Sequence, residues 1–438
     1  MVKVQILTGE DAIAPHLPRD HTDTDVTTFV PEPAADGVQP IGVFRYPAGL
    51  LVIEGDEFAG LRRDLAAGHR PAGWPPELAG IAAAYDERLT EAAELLAARA
   101  RMTDHPVDWL NLAAVAPERV DLDDLTVRIE SRWQNLAQLV LAHLGRADVP
   151  PVDPAAPPEV QALVASAQAA ELLESDLDAA IILLDSAVDA AVDAPALRAL
   201  TLGARADARR RRDTDLDAAI ADLRTALDLL GDSDLRVARA ELHLALGQLL
   251  HERAVATGAP MGDAAAQLQS CLQTIESGEA PLTWAAAHTD LAAIYLTMPM
   301  TAASDQLRMG VAAQSLRKAL KVYTRDEHPD EWAATSVNLA NALVYAPSGH
   351  RQDNLVEAVN LYGEVLATRD PDRDPLGYAR VLANQGNVLA HLGMFTDATG
   401  VLHESRFLFE TAGADEMVRT VRGVLDEIAR TQQRAAGG

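Results

Sequence analysis

Two asparagines three residues apart recur at one phase of the chain. Asn338 and Asn341 stand in "TSVNLANAL", and Asn384 and Asn387 stand in "RVLANQGNVL", 46 residues later. Residues three apart share a face of a helix. A primary amide offers one acceptor and two donors, the complement of what an extended peptide backbone presents. The chemistry open to this face is therefore recognition of a peptide backbone. Hydrogen bonding from helix to helix is the structural alternative for the same four residues. Arg380, four residues before Asn384, falls on the same side and suits a carboxylate, unless Asp or Glu side chains of the chain itself claim it. One copy earlier the two asparagine places hold Asp290 and Ala293, so the polar zone is short.

A second cluster, "HLPRDHTDTD", crowds His16, Asp20, His21, Asp23 and Asp25 into one loop. Imidazole and carboxylate ligands can collect a metal there, with His16, His21, Asp23 and Asp25 as the donor set. The spacing is not that of a calcium loop, because no Gly follows at the turn position. Asp and Thr equally bond their own backbone in turns, and on that reading no metal and no other cofactor is expected.

Signatures of catalysis are missing elsewhere. The chain has no glycine-rich phosphate loop with Lys, no Gly-x-Ser-x-Gly, no HExxH and no Cys-x-x-Cys. His403 and Glu404 are sequence neighbours and point about 100° apart on a helix. His243, His288 and His391 read as hydrogen-bonded residues of helix faces rather than as acids or bases. The run "ARRRRDTD", Ala208 to Asp215, is the one basic cluster and reads as a solvated turn. Cys271 has no second cysteine to pair with, and helical spacing sets it beside Leu268, Leu272 and Ile275 as a small core residue.

The whole chain limits the partners. Its 438 residues carry 37 Lys+Arg against 65 Asp+Glu, a net charge of −28 that repels nucleic acid and anionic membrane surfaces. A basic protein partner would be steered towards such a surface. The apolar fraction of 48% is that of a folded protein. The start "MVKVQILTGEDAIAPHL" lacks the blocks of a signal peptide, and no segment reaches the roughly 18 apolar residues of a membrane helix. A cytoplasmic protein is expected.

The elements that position these residues differ along the chain. Residues 1–60 hold "VKVQIL", "VTTFVP" and "IGVFRYPAGLLVIEG", β-type segments broken by Pro and Gly, and read as a small β-containing module. Residues 61–145 repeat Ala, Leu and charges at helical spacing and complete an α/β N-terminal domain. Two long helices are expected there, in "PPELAGIAAAYDERLTEAAELLAARARM" and "DDLTVRIESRWQNLAQLVLAHLG". "RADVPPVDPAAPP", residues 146–158, has the proline density of a linker. From 159 to 434 helices come in about six pairs with a capping helix at the end. "PLTWAAAHTDLAAIYL", "HPDEWAATSVNLANALVY" and "PLGYARVLANQGNVLAHLG" repeat an aromatic and small-residue pattern at intervals of 48 and 46 residues. Ala285, Ala292, Ala333, Ala340, Ala379 and Gly386 fall seven apart within each copy, a stripe that admits a close neighbouring helix.

The stretch "VLANQGNVLAHLGMFTDATGVLHESRFLF" resembles a tetratricopeptide repeat, with Gly386 and Ala398 as its small residues and "HLGMF" as its turn. Longer turns such as "APSGHRQDN" resemble those of kinesin light chains and of bacterial signalling arrays. The resemblance implies a right-handed α-solenoid in which each helix pair buries its apolar face against the next. It further implies an adaptor or scaffold that takes an extended peptide or partner helix in a concave groove, with Asn338, Asn341, Asn384 and Asn387 at the positions that hold a peptide backbone. Arg380 lies beside them by its spacing, and Asn338 and Asn384 are expected to be at least partly exposed on the concave wall. An enzyme with its active site in or beside the N-terminal module is the alternative, and a peptide-sensing regulator is a third reading.

Overall fold

The computed structural model describes residues 50–212, 216–298, 305–347 and 351–436. Their regular structure is helical throughout, and the chain divides into two compact units between Ala280 and Pro281. Residues 1–49, with most of the expected β-containing module and with His16, Asp20, His21, Asp23 and Asp25, lie outside the described residues.

The unit preceding Pro281 begins with a correction to the β expectation. Leu50, Leu51, Val52 and Ile53 are buried, yet no strand forms among the described residues. A side chain takes the part of the neighbouring strand. The Val52 N–H donates to Asn111 Oδ1 at 2.7 Å, and Asn111 Nδ2 donates to the Val52 carbonyl at 2.9 Å. This single amide satisfies both backbone groups of Val52, which burial would otherwise leave unpaired.

Six helices follow: α1 (Ala59–Ala66), α2 (Ala79–Tyr85), α3 (Leu89–Thr103), α4 (Pro106–Val115), α5 (Leu122–Arg128) and α6 (Ser131–His143). The two long helices expected here are each broken into two. Glu87 adopts a left-handed φ of 57°, and α3 folds back on α2 so closely that a Cβ on Gly80 would stand 2.8 Å from Leu96. The reason lies in composition. Six consecutive residues from Gly80 to Tyr85 are buried, which a single straight surface helix cannot achieve. Gly145, at φ 66°, ends α6 as its position in the sequence suggests.

Three helix pairs complete this unit: α7 (Pro158–Leu172) with α8 (Leu177–Ala190), α9 (Pro195–Arg211) with α10 (Leu216–Leu229), and α11 (Arg236–Thr257) with α12 (Gly262–Thr274). Pro stands in the first turn of α7 and α9, and the Asp176 carboxylate caps α8 by accepting from the Ala179 N–H. Cys271 is fully buried in α12.

The proline-rich stretch before α7 is pinned rather than free. Asn135 Nδ2 donates to the Pro151 carbonyl at 2.9 Å, Asn135 Oδ1 accepts from the Asp153 N–H, and Gln168 Nε2 donates to the Pro150 carbonyl at 2.7 Å. Ala156, Val160 and Val164 share one hydrophobic core with Leu50, Leu110 and Leu139. The division between compact units falls at Pro281, well beyond residues 146–158.

The basic run is likewise a fastening rather than a solvated turn, because a helix places its arginines three and four apart against neighbouring helices. Arg205 forks onto Asp222 at 2.6 and 3.0 Å and reaches Asp185 at 2.7 Å. Arg209 shares both carboxylates, Arg211 pairs with Glu174, and Arg210 with Glu252. Asp222 is only 5% exposed, so removing either partner of its bridge leaves a costly buried charge.

The unit from Pro281 holds α13 (Pro281–Thr297) with α14 (Asp305–Ala319), α15 (Pro329–Tyr345) with α16 (Arg351–Leu366), α17 (Pro375–His391) with α18 (Phe395–Thr411), and α19 (Asp415–Ala436) against α18. This is the stacking of adjacent pairs expected of a helical-repeat solenoid. Gly386 packs against the second helix of its own pair, where a Cβ would come within 2.6 Å of Leu402. Among the described residues no helix is long and apolar enough to cross a membrane.

Candidate functional site

The first helices of the pairs in the unit from Pro281 are enclosed. Every residue of α15 from Thr335 to Val344 is buried, as are Ala287–Ile294 in α13 and Gly386–Ala390 in α17. A surface helix keeps one polar face in water. These three keep none along their middles.

The four asparagines lie inside this enclosure, with exposures of 0% for Asn338, 2% for Asn341 and 1% for both Asn384 and Asn387. The expectation of partial exposure is therefore corrected, and the cause is the enclosure of α15 and α17 on all sides. Their partnerships also differ. Asn341 is a joint between helices: its Oδ1 accepts from the Tyr362 hydroxyl of α16 at 2.6 Å and from Asn384 Nδ2 of α17 at 3.3 Å. Burial pushes the Tyr362 phenol well above its ordinary pKa, so it stays a donor. The structural alternative for Asn341 is what the geometry displays.

Asn338 occupies the place in its copy that Asn384 occupies in the next. Asn384 reaches back to Asn341 of the preceding first helix, and the corresponding residue available to Asn338 is Ala293, fully buried and without a polar atom. Both Oδ1 and Nδ2 of Asn338 are closed from solvent and bond no described residue. Nδ2 of Asn341 and Oγ of Ser336, on the same helix, are in the same condition. A buried polar group left without a partner costs about 1–3 kcal/mol, so Asn338 alone carries two such penalties. Arg380 is half-buried on α17, and Asp290 is 2% exposed on α13.

The histidines of the first helices are held neutral. His288 lies 4.4 Å edge-on from Trp284, and burial, helped by Lys318, lowers its pKa to about 4. Burial with Arg351 nearby lowers His391, and burial lowers His243, whose Nδ1 stands 2.8 Å from Gln267 Oε1. His403 and Glu404 are both exposed. No group of three metal-binding side chains occurs among the described residues.

In the other unit a recess of about 660 Å³ opens between Val52, Leu65, Leu136 and Val160. Its carboxylate Glu54 is claimed by Arg132 at 2.6 Å and by the Trp133 indole at 2.9 Å. Burial raises Glu159 at its edge, with Arg62 opposing. The recess assembles no nucleophile with a base among the described residues.

Sequence reasoning found the asparagine face but not Tyr362, which lies 21 residues beyond its partner and shows only as one apolar-periodic position of "NLYGEVL". The role of Asn111 had no signal at all, since its partner is a backbone 59 residues away.

No protein-family model matches the chain, and no curated protein does. Among solved structures it is similar to yeast Tom70, at 14% identity and a TM-score of 0.34, over 93% of this chain and 70% of that one. It is also similar to the TPR2AB domain of yeast Sti1 in a pHSP90 complex, at 16% identity and a TM-score of 0.24, over 61% of this chain and 98% of that one. Likeness at these TM-scores carries no weight for mechanism. The repeat character stands on the helix pairs themselves, which are consistent with a tetratricopeptide-repeat protein.

Proposed function

We propose that the protein is an interaction module whose unit from Pro281 takes an extended polypeptide along α13, α15 and α17. The observation that carries this reading is the Asn338 amide, buried in the middle of α15 with donor and acceptor both unbonded by described residues. A folded core retains such a group only at a penalty. One peptide unit of an extended chain supplies what it lacks, a carbonyl for Nδ2 and an N–H for Oδ1. Asn384 and Arg380 extend the same side of the next copy, and Arg380 suits a carboxylate of the bound chain. The role is that of an adaptor or scaffold, since backbone contacts hold a peptide while neighbouring pockets select it.

The test is selection of a displayed random peptide library on the full-length protein, followed by calorimetry of the enriched synthetic peptides. Asn338→Ala removes two buried, unbonded polar atoms at the expense of a small void, so melting should be unchanged or raised, while binding should weaken by about 1–2 kcal/mol, the worth of lost hydrogen bonds. Enriched peptides that bind Asn338→Ala as tightly as wild type would remove Asn338 from the site. Failure of any peptide to enrich would remove the groove reading.

A further inference from the structure

We infer that the recess of the unit preceding Pro281 is a small-molecule site for an apolar amine, a cation carried on an aliphatic or aromatic body, with Glu159 as its counter-ion. The site belongs to a different unit from the groove proposed above and shares no residue with it.

The first observation is the shape and lining of the recess. The buried stretch Leu50–Ile53, α1, α6, the start of α7 and the end of α8 leave about 660 Å³ between them. Pockets that enclose small organic ligands run from about 300 to 1,000 Å³ and are mostly apolar, with a few polar groups that orient the guest. The walls here are Leu65, Leu136 and Val160, each at most 3% exposed, with half-buried Trp133 and Leu163 beside them. Such walls take an apolar body out of water.

The second observation is the charge left over. Four carboxylates line the recess, those of Glu54, Asp56, Glu159 and Asp193, against the guanidiniums of Arg62 and Arg132. Arg132 is already held by Glu54 at 2.6 Å and Glu130 at 3.0 Å, and Arg62 donates to the Gly55 carbonyl at 2.6 Å. Glu159 is placed differently. It is half-buried in the first turn of α7, accepts no hydrogen bond among the described residues, and meets the charge of Arg62 only at longer range. Burial accordingly holds its carboxyl above the ordinary carboxylate range. An ammonium group supplies what this carboxylate lacks, charge and hydrogen-bond donors together. Asp56 and Asp193 are exposed, form no ion pair among the described residues, and add to the attraction. An anion would meet two engaged guanidiniums and three carboxylates without an ion pair.

The third observation is that the walls are fixed in advance. Asn111 holds Val52 through two hydrogen bonds, and Glu54 holds the Trp133 indole at 2.9 Å. Little ordering remains for a ligand to impose, which favours binding of a small one.

The experiment titrates the full-length protein, by ligand-observed NMR, with three compounds of one shape and different charge: 3-phenylpropylamine, 3-phenylpropan-1-ol and 3-phenylpropionate. The amine should bind roughly tenfold or more tightly than the alcohol and the acid, and propylamine, which lacks the ring, should bind roughly tenfold more weakly than 3-phenylpropylamine. Glu159→Gln should bring the amine down to the affinity of the alcohol and leave the alcohol unchanged, which also shows that the recess survives the substitution. Preference for the acid would make Arg62 the ligand's partner and overturn the proposal. So would an amine affinity equal in wild type and Glu159→Gln, equal affinities for propylamine and 3-phenylpropylamine, or no binding by any of the three. The wild-type series decides the sign of the site without any variant.

Discussion

The joint between Asn341 and Tyr362 gives the sharpest test of how the repeats are held together. Tyr362→Phe deletes a hydroxyl that donates at 2.6 Å to an oxygen 2% exposed at residue level, and leaves that oxygen only the longer bond from Asn384. The loss should be about 1–2 kcal/mol, a neutral hydrogen bond with part of a desolvation penalty. Asn341→Leu is worse, because it strands the Tyr362 hydroxyl in a core where it is fully buried and deprives Asn384 as well. About 2–4 kcal/mol is expected there. The double variant removes both partners together and should be no less stable than Asn341→Leu alone, since replacing both members of a pair by apolar groups approaches neutrality. Urea titrations followed by circular dichroism give the three values, with m compared across variants because repeat arrays depart from two-state unfolding. Additivity within about 0.3–0.5 kcal/mol would mean the two side chains do not act as a pair, and the reasoning would fail.

How much of this was legible beforehand depends on the range of the interaction. Pair number and helix starts follow from local rules: Pro281, Pro329 and Pro375 open α13, α15 and α17, and Asp374 caps α17 by accepting from the Gly377 N–H. The asparagine ladder was legible as a face because three-residue spacing fixes a face. Its burial was not, since "TSVNLANALVY" carries Thr, Ser and Asn at places that pattern reasoning assigns to water, and only the surrounding helices decide otherwise. The same limit explains the other differences. "AGIAAAY" has helical composition whether or not the chain doubles back after it, and proline density in 146–158 says nothing of Asn135 and Gln168, which hold the carbonyls of Pro151 and Pro150. The arginines of α9 are four apart and look solvated until their carboxylates arrive from other helices. Helix-period patterns specify which residues share a side, and tertiary packing specifies what that side meets.

Two further outcomes test the packing and the buried imidazole. Gly386→Ala places a Cβ 2.6 Å from Leu402 Cγ and 2.9 Å from Val401 Cγ2, and should cost about 1–3 kcal/mol of overpacking in a thermal melt. Gly400→Ala in the same pair meets open space and should stabilise by about 0.5–1 kcal/mol, so equal effects at the two sites would contradict the described approach of α17 and α18. For His288, burial lowers the folded pKa to about 4, below the ordinary value of 6.5, so the unfolded chain binds the extra proton between those values. Stability from this residue is therefore complete above pH 6.5 and is lost as pH falls towards 4. The loss is about 3 kcal/mol, since each tenfold change in proton affinity is worth about 1.4 kcal/mol. His288→Gln keeps a polar side chain without the titration, and should flatten the fall in unfolding free energy between pH 6.5 and 4 relative to wild type. An unchanged slope in that window would show that the imidazole takes its proton inside the fold, and that His288 is not enclosed beside Trp284 as described.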